Sequence, residues 1–278
     1  MTSSDHALYL TMAEMIFWDR IVPDSGMQRA ASQSQPKAIF LIGQPGAGKG
    51  ALIGMARAYL GNDLIMIDPD RLPSYWPGLR ELRAKSPYTW PLDTEHDVAQ
   101  WAAALLTGAV QGRKNIIIDT ALDDAERLLE QIRLLQAEGY EVQIRAVAVN
   151  RLESELAVDA RFLSGLLRDG HGLYHQETFR AQCYENMPSR LDYVHGQTKI
   201  PVRIFNSDGL EIHDGRIDPA PPGAALEQIR KDRLTNPELT KTLNAALQKQ
   251  VALHKDLPQI LARMTEEPGG LKYCRTDS

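Results

Sequence analysis

Two cysteines, Cys183 and Cys274, are too few and too far apart in a chain of 278 residues to frame a disulfide-stapled fold or a thiolate metal centre. Aromatic residues make up only 6% of the sequence, and no basic stripe interleaved with aromatics, of the kind that tracks nucleic acid, is visible. No apolar run approaches the roughly 18 residues of a membrane-spanning helix. The N-terminus also lacks a basic stretch followed by an apolar one. Positive charge is scarce: 31 Lys and Arg against 36 Asp and Glu leave a formal net charge of −5. Such a surface has no global pull on nucleic acid or anionic lipid, so any phosphate binding has to be local. These shortages argue against secretion, membrane insertion and nucleic-acid partners, and they suit a reducing cytoplasm. What is left, 43% apolar and 24% charged, is enough for one large α/β domain with extensions.

The chain divides by composition. Residues 1–35 hold an N-terminal helix over 5–20, with Leu8, Met12, Met15 and Ile16 at helical spacing behind Asp5 as cap, and a Ser- and Gln-rich linker over 23–36. Residues 36–217 carry apolar, β-branched runs at 38–42, 64–67, 115–118, 142–149 and 202–205, with a short further strand after the turn in "NSDGLEI". Helices separate most of these runs; one spans 123–138 and stops at Gly139. The pattern predicts a three-layer α/β sandwich around a mostly parallel sheet covered on both faces, and "GQPGAGKG" after its first strand makes it one of P-loop NTPase type. Residues 218–278 predict helices divided by Pro237 and Pro258, with the last ten residues frayed.

The first strand runs into "GQPGAGKGA", in which Gly43, Gly48 and Lys49 fit G-x-x-x-x-G-K. A strand, a glycine-rich turn and a helix from about Lys49 make an anion nest of backbone N–H groups at a helix N-terminus. The cradle is Gly43, Gln44, Pro45, Gly46, Ala47, Gly48, Lys49, Gly50 and Ala51, with Lys49 reaching the outer phosphates of ATP. The residue after Lys49 should be Ser or Thr, to ligate magnesium. Here Gly50 and Ala51 offer no hydroxyl. The loop is locally similar to that of adenylate kinases, which also have Gly after the Lys. Magnesium keeps several waters and binds substrate phosphates, so the expectation is a water-mediated Mg2+ site or, alternatively, slow catalysis.

Asp68 and Asp70 lie just past the second strand, at the carboxyl edge where open α/β sheets bind ligands. Phosphoryl transfer needs a carboxylate to accept the substrate hydroxyl proton. Asp70 is placed for that task and Asp68 for a metal or its water. Arg161 and Arg168, seven apart on a helix predicted over 151–170, share a face and are candidates to neutralise phosphate. His171 and His175 have zinc-like spacing without a third ligand and read as loop residues that could lie near substrate.

With "GQPGAGKG" and, twenty-one residues after Lys49, the second Asp of "IDPD" followed by Pro77, the chain resembles the zeta toxin family over about 37–214. Zeta toxins are P-loop kinases of toxin–antitoxin systems that phosphorylate UDP-N-acetylglucosamine or related nucleotide sugars. The resemblance implies that Lys49 is the P-loop lysine, Asp70 the catalytic base and Arg161 a phosphate-binding arginine. The family's second arginine falls on Tyr174 in a gapless match, and Arg168, ahead of Arg180, is the substitute expected here. Asp119 stands where the family has the Glu of Glu-Gly-Thr, with Thr120 beside it, so both are expected to hold the acceptor. Trp76–Pro77 replaces the usual His–Pro, while Tyr88 and Trp90 are candidates to stack on the acceptor's ring. The resemblance also implies an antitoxin partner, or an inhibitory helix supplied in cis by residues 1–34; a helix docked on the core is the plainer reading. Kinases for another acceptor (nucleotide, dinucleotide or antibiotic) and a silent nucleotide-binding interaction module are the rival functions.

Overall fold

The computed structural model describes residues 12–266. Lys37–Ile42 (β1), Ile65–Ile67 (β2), Ile116–Thr120 (β3), Glu141–Val147 (β4) and Val202–Phe205 (β5) pair in parallel, and Glu211–Asp214 (β6) adds an antiparallel edge. The order across the sheet is β2-β3-β1-β4-β5-β6. Every apolar run that predicts a strand contains one. The helices are residues 12–25 (α1, with a π turn at Phe17–Ile21), Gly50–Tyr59 (α2), Leu79–Lys85 (α3), Trp90–Gln111 (α4), Ala125–Ala137 (α5), Arg151–Asp169 (α6), Glu177–Thr198 (α7), Pro222–Leu234 (α8) and Pro237–Glu266 (α9). None among the described residues is long and apolar enough to cross a membrane.

Alternation along β1 builds two cores. Ala38, Phe40 and Ile42 face the larger one, filled from α1, α4, α5, α7 and α8; Ile39 and Leu41 face the smaller one with Leu52 and Ala56 of α2. Burial on both faces is what an unalternating apolar strand requires. Helix ends follow local chemistry. Asp124 caps α5 by accepting from Arg127 N at 3.0 Å, and Gly139, at φ +76°, lies just past its end. Asn150 and Glu153 close a reciprocal capping box at the start of α6, which stops at left-handed Gly170.

Three expectations change. The N-terminal helix runs on through Pro23 to Ser25, beyond residue 20, and buries Phe17, Ile21 and Val22 in the larger core. Asp5 and Leu8 lie outside the described residues. The segment read as a linker is pinned to the body: Ala31 N donates to Asp63 (2.8 Å), Gln33 N to Arg113 O (2.9 Å) and Lys114 Nζ to Ala30 O (2.5 Å). Gln33 Nε2 adds a bond to Asp63 (2.8 Å), so side chain and backbone both tie the segment to the loops that precede β2 and β3. Finally, α9 begins at Pro237 but continues past Pro258. A proline removes one helical hydrogen bond and bends a helix without having to end it. The last ten residues lie outside the described residues.

Candidate active site

At the carboxyl edge of the sheet, β1 turns into the loop Gly43–Lys49, and α2 starts at Gly50 with no side chain capping it. Gly46 and Gly48 have φ of +80° and +81°, a conformation that side chains resist. A Cβ on Gly46 would sit 2.1 Å from Ser154 O, so the loop rests directly on the first turn of α6. Among the residues of the cradle, Gln44 is buried and Pro45 and Ala47 complete the turn. The uncapped N–H groups of α2 and the left-handed glycines fit a polyphosphate. A Cβ on Gly50 would meet nothing within 4 Å, so packing does not dictate the glycine that replaces the usual hydroxyl.

Lys49 folds back over this loop. Its Nζ lies 2.5 Å from Asp119 Oδ1 and donates to the carbonyls of Gly43 (3.0 Å) and Thr120 (3.3 Å). Asp119 ends up beside the phosphate loop because β3 lies next to β1, with Leu41 in register with Asp119. Thr120 Oγ1 accepts from Leu122 N at 3.1 Å. Leu122 is fully buried at φ +55°, a strained conformation for a large side chain.

Past β2, Asp70 is held at both oxygens. Oδ2 lies 3.2 Å from an Arg161 guanidinium nitrogen and Oδ1 lies 3.3 Å from His175 Nε2. Arg161 also approaches His175 Nδ1 at 3.3 Å. Arginine can only donate, so Nδ1 accepts and Nε2 carries the proton given to Asp70. Burial pushes the Asp70 carboxyl up, but His175, by its hydrogen bond and by its charge when protonated, and then the charges of Arg161 and Lys49 outweigh it and hold the group well below the usual carboxylate range. Asp68 goes the other way. Burial, then the charges of Asp119 and Asp70, push it up to about 6, although its Oδ1 accepts from Asp70 N at 3.0 Å. Asp68, Asp70 and Asp119 thus crowd one corner. Among the described residues no three His, Cys, Asp or Glu side chains are grouped closely enough to hold a metal by themselves. Their donor chemistry fits magnesium only as an ion shared with phosphates and water.

Other expected residues land elsewhere. Arg168, 76% exposed, pairs with its neighbour Asp169 at 2.7 Å and does not join the group around Asp70; two helical turns carry it about 10 Å from Arg161 along α6. Arg180 is buried against Glu155 (2.9 Å) and stacks on Tyr174. Tyr88, half-buried, packs with Phe162 and Tyr174 in a small apolar cluster, and Trp90 is 1% exposed with its N–H on Gly172 O, so the Trp90 ring is not presented as a stacking platform. His171 bonds to Asp169 O. His175, read from sequence as a loop residue that could lie near substrate, is brought against Asp70, a contact that spacing did not specify. Its one sequence signal is the loop "HGLYH" directly after the helix that carries Arg161.

A protein-family model described as Zeta toxin matches residues 24–218. The chain is similar to Toxin zeta of Enterococcus hirae, 22% identical over 273 residues that cover 92% of this chain and 91% of that one. It is also similar to Toxin PezT of Streptococcus pneumoniae, 28% identical over 131 residues covering 47% and 52%. Among solved structures, the fold is similar to one from the PezAT chromosomal toxin–antitoxin system of Streptococcus pneumoniae (TM-score 0.64, 20% identity, 94% of this chain and 98% of that one). It is similar too to AvrRxo1-ORF1:-ORF2 with ATP (TM-score 0.54, 15% identity, 90% and 86%).

Proposed function

The chain belongs to the zeta toxin family, and from that premise we propose that it is an ATP-dependent kinase, the toxin of a toxin–antitoxin pair, acting on a hydroxyl of UDP-N-acetylglucosamine or a related UDP-sugar. The observation that carries the reading is the meeting of Lys49, Asp119, Asp70 and Arg161, brought from β1, β3, β2 and α6 to one edge of the sheet. In the proposed reaction the loop N–H groups and Lys49 hold the β- and γ-phosphates of ATP. Arg161 exchanges Asp70 for the transferring phosphoryl group and neutralises its charge. Asp70 accepts the acceptor's hydroxyl proton as that oxygen bonds to the γ-phosphorus and the bond to the β–γ bridging oxygen breaks, releasing ADP. Its low basicity suits a loose transition state, in which positioning outweighs proton abstraction. Asp119 and Thr120 hold the acceptor. Magnesium, shared with the phosphates, supplies charge neutralisation, and Asp68 is the carboxylate assigned to it.

The solved neighbour with ATP and the PezAT toxin–antitoxin neighbour support the nucleotide and the antitoxin in this reading. The antitoxin is expected in trans. Among the described residues α1 accepts hydrogen bonds from Tyr75 and Trp101 and buries Phe17, Ile21 and Val22 in the larger core. The test is ADP release from ATP and magnesium over a panel of UDP-sugars, nucleosides and dinucleotides, with Lys49→Ala and Asp70→Asn as controls. Release stimulated by a UDP-sugar and abolished in both variants supports the proposal. Stimulation by another acceptor alone keeps the kinase and overturns the substrate; nucleotide binding without turnover leaves only a binding module.

A further inference from the structure

Behind the phosphate loop lies an arginine that no motif announces. Arg230, on α8, is 5% exposed, and among the described residues no carboxylate stands within ion-pair distance of it. Its guanidinium donates to Tyr184 O (2.9 Å) and to Gln44 Oε1 (3.2 Å), approaches Met187 Sδ (3.7 Å) and stacks 3.9 Å over the Tyr184 ring; its Nε has no partner. Burial lowers its pKa to about 10, against a smaller upward pull from Tyr184 and from Glu227, which lies beyond ion-pair distance on the same helix, and this still leaves it a cation at neutral pH. Buried charges are ordinarily paired, because an uncompensated one is expensive. Gln44, which receives this charge, is itself 1% exposed and is the second residue of the phosphate loop; its Nε2 faces Val149 O and Ser154 Oγ at 3.4 Å. About one turn further along α8, Arg233 pairs with Glu153, the residue that closes the capping box of α6. Helix α8 thus fastens both the loop and the helix bearing Arg161.

We propose that Arg230 is a positioning residue of the nucleotide site, whose unpaired buried charge fixes Gln44 and is answered by the bound polyphosphate. The inference rests on the kinase reading and extends it to a helix outside the P-loop core. In the interior a full charge acts over several ångströms with little screening, so it strengthens the binding of ATP, with its additional negative charge, more than that of ADP.

The experiment is isothermal titration of ATP and ADP, each with magnesium, into the wild-type chain and into Arg230→Met, Arg230→Lys and Gln44→Glu, with Tm read alongside. Arg230→Met is expected to weaken ATP about tenfold, with a smaller loss for ADP and kcat changed less than KM. Arg230→Lys, which keeps the charge, is expected to recover most of the affinity. Gln44→Glu gives Arg230 a carboxylate, and is expected to raise Tm while weakening ATP. Equal ATP affinity in Arg230→Met overturns the inference, as does equal weakening in Met and Lys, which marks a brace in which charge is irrelevant. If Arg230→Met does not fold, an unchanged Tm and ATP affinity in Gln44→Glu overturns it. No ATP binding by the wild type overturns both this inference and the kinase reading.

Discussion

Asp68→Asn is expected to make the chain more stable and, on the reading above, less active. Asp68 is partly buried, and its acidity is set by burial and by the charges of Asp119 and Asp70, which push the pKa from 3.8 to about 6. At ~1.4 kcal/mol per unit, that difference is worth at most about 3 kcal/mol of destabilisation at neutral pH. Solvent reaching the side chain makes about 1–2 kcal/mol the realistic figure. The sign follows from the raised folded-state value. Folding favours the protonated acid, so its contribution is complete below pH 3.8 and lost as pH rises through about 6. Asparagine keeps an oxygen for Asp70 N and never ionises, so the gain belongs to pH 8 and vanishes near pH 4. For a chain of this size the gain corresponds to roughly 2–5 °C in Tm. The assay is thermal unfolding of wild type and variant at pH 4, 6 and 8, at low and high magnesium. A variant no more stable than wild type at pH 8, or one equally stabilised at all three values, refutes the claim that Asp68 is a strained carboxylate. Magnesium should also narrow the gap at pH 8, because bound metal relieves the same repulsion.

Three further outcomes follow from the geometry. Gly50→Ser places a hydroxyl where a Cβ meets nothing and is expected to lower the magnesium needed for half-maximal ADP release several-fold, with helix α2 stabilised by roughly 0.5 kcal/mol; a poorer enzyme would mean that the loop does not hold its metal in the usual way. Arg168→Ala is expected to leave kcat/KM within about twofold, since its partner is an exposed neighbouring carboxylate; a hundredfold loss would restore it to the site. His175→Ala removes a hydrogen bond that lowers the Asp70 pKa, so the acid limb of the kcat/KM profile should move to higher pH. A limb that stays in place would detach His175 from Asp70.

What was legible in the sequence is what local chemistry decides. β1, its glycine turn and α2 follow from one stretch of β-branched residues and the conformational freedom of Gly46 and Gly48. Asp70 and Asp119 could be placed because one lies just past the end of β2 and the other in the last residues of β3, and strands in a parallel sheet end on the same side. The distance from Lys49 to Asp119 was not legible, since it depends on β3 lying beside β1, and sheet order is a tertiary outcome. Arg168 was misplaced because a shared helical face says nothing about distance along the axis. His175 depends on the path of the loop after Gly170, and Arg230 comes to Gln44 from 186 residues away with no periodicity to mark it.

The site is internally neutralised in a particular way. Lys49 is paired with Asp119 and Arg161 with Asp70, so each cation assigned to the nucleotide is held by a carboxylate assigned to the acceptor or its proton. A polyphosphate entering the loop competes for both cations at once and brings more charge than either carboxylate. Each exchange therefore frees an acceptor-side oxygen that was occupied before. Under the proposed function this makes nucleotide binding the step that prepares the acceptor site, and the coupling is reciprocal: an acceptor that engages Asp119 and Asp70 loosens Lys49 and Arg161 for phosphate. The two substrates then need not touch to help each other, because they draw on opposite halves of the same two ion pairs.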